Sequence, residues 1–448
     1  MNYRHFRHPL RAALALVAAS LYLLAAGGFH LAQAQNINQD RLRGRAMLQA
    51  IKSDIQKDYY DPTFHGIDLD KSFAEADERV KAAKNAGEML AIIGQLLMSF
   101  NDSHLFFRPP RVVASVQHGW EMEMIGDKGY IIAVQPGSDA EAKGLRPGDR
   151  VLTIEGYRFT RADLWKIEYV LYLLSPRPQI NLTVERNGQV RQLTVAAKVR
   201  SGKLITDLEA GMASDRYSLI REWETERDLN AHRIRELGND CVIWKMPAFS
   251  IGISDLEDLM GKVRKRKALI LDLRGNGGGS EETLLRLLGY FFDHDVKVGE
   301  ARTRKNSKPL IAKSHGDHVF DGKLAVLVDS RSGSAAEVFA RVIQLEKRGV
   351  VIGDKTAGAV MRAQDFDHEF GADLVIGYGA SVTVADLTMA DGKSLEHVGV
   401  TPDELLLPTA LDLANERDPV MARAAELVGL KIAPELAGKM FPVQWRRN

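Results

Sequence analysis

Leu324 to Thr356, LAVLVDSRSGSAAEVFARVIQLEKRGVVIGDKT, reads as a buried strand, a tight turn, a helix and a second strand. Leu324, Val326, Leu327 and Val328 make a short apolar run, and Ser332 and Gly333 break it. Val338, Phe339, Val342 and Ile343 then recur at helical spacing between Ala335 and Gln344. Ser334 stands at the joint, where a hydroxyl meets the free amides of a helix start. Those N–H groups and the helix dipole favour negative charge, which a serine nucleophile creates when it attacks an acyl group. The same pattern also suits a plain helix cap, with Glu337 three residues on completing a capping box.

A second joint of this type precedes it. In KALILDLRGNGGGSEETLLRLLGYFF, Leu269, Ile270, Leu271 and Leu273 form a continuous buried strand, and Leu284, Leu285, Leu287 and Leu288 form an apolar helix face. The RGNGGG turn between them lacks the Gly-Lys-Ser/Thr of a phosphate loop and is badly spaced for a dinucleotide fingerprint. Its glycines serve either a tight turn alone or the exposure of backbone N–H groups to a reacting carbonyl.

Towards the amino terminus, Arg41 to Phe100 carries helical periodicity through Met47, Leu48, Ile51 and Ile55, then Phe73 and Ala76, then Met89, Ile92, Ile93, Leu96 and Leu97. The region ends in FNDSHLFFRPP, which sets His104 between the polar turn Asn101-Asp102-Ser103 and the apolar Leu105, Phe106 and Phe107. A histidine so placed is either a surface residue or one held partly buried with an oriented ring. Before this region, Arg4, Arg7 and Arg11, the apolar Ala12 to Ala26 and the small-x-small Ala32-Gln33-Ala34 read as a secretory signal peptide cleaved after Ala34. A periplasmic or secreted mature chain is therefore expected. No later stretch has the ~20 apolar residues that a membrane-spanning helix needs.

Without residues 1–34 the balance of 60 basic against 59 acidic residues becomes 57 against 59. No basic excess or stripe collects phosphates, so nucleic acid is not an expected partner. Cys241 is the only cysteine and lies in the apolar CVIWKM, which excludes an internal disulfide and reads as an inert buried thiol. No His-Glu-x-x-His or paired-cysteine spacing offers a metal site, and none is expected.

Val112 to Val199 changes to short strands such as YIIAVQ, VLTIEG and INLTVER. Ala140 to Leu152, AEAKGLRPGDRVL, is a short helix, a glycine stop, a turn and a strand, and this stretch resembles a PDZ domain. Such domains bind extended peptide ends by adding a strand to their sheet; a β-rich spacer is the alternative. Ser201 to Gly238 is charged and reads as a connector with a helix-like run from Tyr217 to Leu229.

The order of these features resembles the serine peptidases that group carboxyl-terminal processing proteases with tricorn core protease. The likeness is carried by Ser103-His104, the PDZ-like insertion, DLRGNGGG (272–279), SGSAAE (332–337), GDKTAG (353–358) and LEHVGVTPD (395–403). It implies an α/β core of crotonase-like type with an N-terminal helical region and an inserted, β-rich PDZ domain. The expected division is 1–34 signal peptide, 35–111 helical region carrying His104, 112–199 PDZ domain, 200–238 connector and 239–448 peptidase core with a C-terminal helix. It also implies that Ser334 is the nucleophile and that the Ala335 amide is one oxyanion donor. Gly277 or a neighbouring glycine is the second. Ala359 occupies the place of the lysine base of the processing proteases and cannot accept a proton, while Lys355 lies off that register. In the tricorn-like pattern His104 is the base, Ser103 precedes it, and Glu396 orients the relay, with Asp102 the competing candidate. The expectation is a serine endopeptidase needing no cofactor, acting on polypeptides recruited by the PDZ domain. The alternatives are an esterase, or a non-catalytic binding protein on the same scaffold.

Overall fold

The structure, a computed structural model, describes residues 37–110, 114–174, 177–201, 231–370 and 376–445. The expected signal peptide and the helix-like run Tyr217 to Leu229 lie outside the described residues. The apolar strands of both joints enter one six-stranded sheet, in the order Glu404–Leu405, Val350–Gly353, Lys323–Val328, Ala268–Asp272, Cys241–Lys245, Arg233–Leu237. All neighbours are parallel except the last pair. A parallel sheet needs cover on both faces, which explains the unbroken apolar runs. Leu269 and Leu271 face the helices Ile253–Val263, Glu281–Leu288 and Ala335–Leu345, while Ala268 and Ile270 face the helix Pro419–Leu427. Each such fully buried leucine or isoleucine side chain contributes ~1.5–3 kcal/mol. The layered α/β core expected from the sequence is the one observed.

One boundary differs. Arg233–Leu237, assigned above to the connector, is the antiparallel edge of this sheet. Ile234, Arg235 and Glu236 are exposed and Arg233 and Leu237 half-buried, so no apolar alternation marks the strand and its charged composition hid it.

The N-terminal helices, 37–58, Leu69–Ala82 and Ala86–Met98, bury the periodic residues named above, and Asp68 and Asn85 cap the second and third. Their core continues into Tyr378, Ala380 and Val382 of the long strand Ile376–Met389. That strand belongs to a second sheet and pairs antiparallel with Phe106–Arg108, so Phe106 faces Ser381. This pairing carries His104, two residues before the short strand, from the N-terminal region to the core.

Five antiparallel strands form the inserted domain, in sequence order from Trp120–Ile125 to Gln189–Ala196. Ala114–Gln117 pairs with Lys198–Ser201, so the chain enters and leaves this domain side by side. No helix among the described residues is long and apolar enough to cross a membrane.

Candidate active site

Three loops leave the carboxyl ends of neighbouring parallel strands, the place where open α/β sheets gather their ligands. Asp272 is level with Leu327, and Val328 with Gly353, so the turns 273–279, 329–334 and 354–360 start side by side. Backbone bonds join them: Gly333 N–H to the Asn276 carbonyl (2.9 Å), Ala357 N–H to the Ser332 carbonyl (2.9 Å) and Ser334 N–H to the Ala359 carbonyl (2.8 Å). Ser334 is held there at φ 52°, ψ −119°. A non-glycine residue in that region costs ~1–3 kcal/mol and persists only where its surroundings over-determine it.

His104 meets this serine across 230 positions of sequence, its Nε2 3.3 Å from the Ser334 hydroxyl. On the far side of the ring, Nδ1 is 2.8 Å from the Ser103 hydroxyl, which donates to Glu396 Oε2 at 2.9 Å. The hydroxyl proton is thereby committed to the carboxylate, so the serine oxygen must accept from Nδ1–H. That tautomer leaves the Nε2 lone pair facing Ser334. Glu396 also accepts from the amides of Ser103 (3.0 Å) and Val360 (2.7 Å), which fixes it between two loops. Burial lowers the pKa of His104, against the opposing charges of Glu396 and Asp102. The ring is therefore neutral at neutral pH.

Asp102, the competing orienter, has its carboxylate directed elsewhere. It accepts from the Tyr59 and Thr383 hydroxyls (2.9 and 2.7 Å) and from the amides of His104 and Leu105 (2.9 and 3.2 Å). It shapes the turn that carries His104 and makes no bond to the ring. Lys355 is exposed; its carbonyl accepts from the Arg161 guanidinium, and its amide bonds to Asp354. Ala359, on the lysine position of the other branch, contributes its backbone to Ser334 and to Glu337.

Of the amides in the RGNGGG turn, Gly275 donates to Asp329, Asn276 to the Leu273 carbonyl and Gly278 to the Asn276 side chain. The Gly277 amide, like that of Ala335, has no protein acceptor among the described hydrogen bonds. Gly278 lies close against Ser334: a Cβ there would stand 2.5 Å from the Ser334 Cβ.

Glu337 has a larger part than helix capping. It is fully buried and accepts four hydrogen bonds, from the Ser334 and Ala359 amides (3.1 and 2.9 Å) and from the Thr356 hydroxyl and Gly358 amide (2.5 and 2.7 Å). Burial pushes its pKa up to about 7 while these four bonds pull the other way. The sequence signal was an acid inside an otherwise apolar helix start, AAEVF, where a capped helix alone needs no burial. Asp329, also unassigned from sequence, holds Gly275, Arg331 and Ser332 together.

Residues 242–406 match peptidase family S41, and residues 117–197 match the PDZ domain. The tail-specific protease of Haemophilus influenzae is 25% identical over 323 residues, covering 67% of this chain and 43% of that protein. A tricorn protease homolog of Streptomyces coelicolor is 24% identical over 388 residues, covering 83% of this chain and 31% of that protein. The chain thus spans less than half the length of either relative. Among solved structures, mature CPAF is similar with a TM-score of 0.61 at 16% identity, over 84% of this chain and 94% of that one, which is a likeness of fold.

Proposed function

We propose that this chain, whose residues 242–406 match peptidase family S41 and whose residues 117–197 match the PDZ domain, is a serine endopeptidase acting through an acyl-enzyme, with Ser334 as nucleophile and His104 as base. The observation that carries this reading is the unbroken line from Glu396 through Ser103 and His104 to Ser334, beside two amides free to receive an oxyanion. As Ser334 Oγ attacks the scissile carbonyl, its proton passes to Nε2 of His104. The imidazolium that forms is held by Ser103 and by the charge of Glu396. Negative charge growing on the carbonyl oxygen is received by the amides of Ala335 and Gly277, with the dipole of the helix Ala335–Leu345 behind them. His104 then returns the proton to the leaving amine, and water attacks the acyl-enzyme by the same route.

Polypeptides are the substrate class, and the PDZ domain is assigned their recruitment. Residues 1–34 support export, with a mature chain beginning at Gln35 outside the cytoplasm. N-terminal sequencing of exported protein tests this, and retention of Met1 to Ala34 would refute cleavage. The deciding experiment for the chemistry is labelling by a fluorophosphonate probe. Wild-type protein should label on Ser334 and Ser334→Ala should not; equal labelling of the two would overturn the assignment.

A further inference from the structure

The PDZ sheet ends on the strand Trp120–Ile125, which among the described residues has a single strand partner, Lys128–Val134. A free sheet edge is where PDZ domains add an extended peptide. Here the edge is met by a side chain of the peptidase core. The Arg331 guanidinium, three residues before Ser334, donates to the Met122 carbonyl at 2.5 Å and to Glu168 Oε1 at 3.0 Å. Glu168 belongs to the helix Leu164–Glu168, so one cation bridges the edge strand and the helix of the PDZ domain. Glu121 lies 3.8 Å from the same guanidinium. Glu123, two residues on, also feels its charge.

Burial at this seam raises the pKa of both Glu121 and Glu168, and the charge of Arg331 opposes the rise in each. Lifting Arg331 out would leave partly desolvated carboxylates without their counter-charge, which is strongly unfavourable. A replacement at this edge that brings a positive charge of its own keeps both carboxylates paired. We propose that the groove between Trp120–Ile125 and Leu164–Glu168 takes an extended polypeptide bearing an arginine or lysine, whose cation replaces Arg331 on Glu121 and Glu168 while its backbone adds to the strand edge. This rests on the recruiting role given to the PDZ domain above and names the chemistry of the chain recruited. An acidic residue in the same register would meet like charges, which costs affinity and excludes such chains.

The test uses the full chain carrying Ser334→Ala, so that binding is read without cleavage. Short fluorescent peptides, identical except for an arginine, methionine or glutamate walked through each position, are titrated by anisotropy. In one register the arginine peptide should bind at least about tenfold more tightly than the glutamate peptide. Adding Arg331→Ala should tighten the arginine peptide about tenfold further by removing the resident competitor. Glu121→Gln with Glu168→Gln should erase the difference between arginine and glutamate. Equal binding of the three peptides in every register would overturn the proposal, as would unchanged or weaker binding by Arg331→Ala. Should Arg331→Ala fail to fold, the double glutamine variant decides alone, and an arginine preference that survives in it overturns the proposal. A chain that labels with fluorophosphonate yet shows no cation preference removes the groove reading only. One that prefers arginine peptides yet never labels removes the peptidase reading only.

Discussion

His104 can serve as the proposed base only while its ring is neutral, and burial favours that form. Protonation is thus deferred to a pH below the ordinary histidine value of about 6.5. Activity should rise with pH through a single acid limb whose midpoint lies under that value, measured as kcat/KM across pH 4.5 to 8. His104→Ala should lower turnover at least ~100-fold, the lower end of what general-base catalysis contributes. Lys355→Ala should change it little, because that side chain is exposed and makes no contact with Ser334. A dead Lys355→Ala beside an active His104→Ala would refute the base assignment. Glu337 makes a different prediction. Its folded pKa, about 7, lies above the 4.5 of an ordinary glutamate, so the folded state holds the proton more tightly than the unfolded one. Its contribution to stability is full below about 4.5 and is lost as pH rises through about 7. Thermal melts of wild type against Glu337→Gln should differ in pH slope across that window. The glutamine would also turn its NH2 towards two of the four donors, and each unsatisfied buried group costs ~1–3 kcal/mol. Turnover should fall more than ~10-fold at every pH, with the loss confined to kcat if the loop 356–359 is what shifts.

At the scale of elements, the site is made by turns at strand ends, and two adjacent glycines of one turn separate its requirements. Gly278 has φ +106°, and a Cβ there would meet the Ser334 Cβ at 2.5 Å and the Ala335 nitrogen at 3.1 Å. Gly278→Ala should therefore displace the nucleophile and abolish fluorophosphonate labelling. A Cβ at Gly277 meets nothing within 4 Å, and its backbone is not in the left-handed region. Gly277→Ala keeps the amide and should leave turnover within a few-fold of wild type, since open sites tolerate substitution within ~0.5 kcal/mol. If both variants label normally, the close approach of the two turns is wrong. The same elements mark how much was legible beforehand. The strands and helices flanking Ser334 and RGNGGG could be read because burial on both faces of a parallel sheet leaves continuous apolar runs. Ser334, Ser103-His104 and Glu396 were legible through motifs, each a compact chemical signature. Their meeting was not contained in any local pattern, because it depends on Phe106–Arg108 pairing with Gly379 to Ser381, some 270 positions away. Glu337 was legible only as a cap, since one of its four donors is its own N-cap residue's amide and the other three come from a loop beyond the next strand. Arg233–Leu237 was missed because an edge strand exposed through its middle three residues carries the charges of a linker and no buried alternation.

On the scale of the whole molecule, the PDZ domain is fastened to the catalytic loops rather than tethered beside them. Arg331 reaches Met122 and Glu168, while Arg161 and the Gly126 amide both bond to Asp354, each at 2.9 Å. Tyr169 donates to the Phe107 carbonyl at 2.6 Å, within the strand that positions His104. A domain that only recruited chains could be removed without effect on substrates too short to need recruiting. These contacts argue otherwise, because buried Asp354 begins the loop that holds Glu337, and Arg331 lies within the Ser334 turn. The stem allows a clean experiment. Gln117 faces Lys198 across the paired strands Ala114–Gln117 and Lys198–Ser201, so residues 118–197 can be replaced by a tight glycine-rich turn. Hydrolysis of a short chromogenic ester by the excised protein should fall at least ~10-fold, as two partly buried ion pairs and their hydrogen bonds are left half-made. Circular dichroism should show the α/β core still folded, and the loss should appear in the rate of Ser334 labelling as well as in turnover. Full activity on the short ester, with loss confined to long polypeptides, would show instead that the domain acts by recruitment alone and that its contacts with the loops are energetically idle.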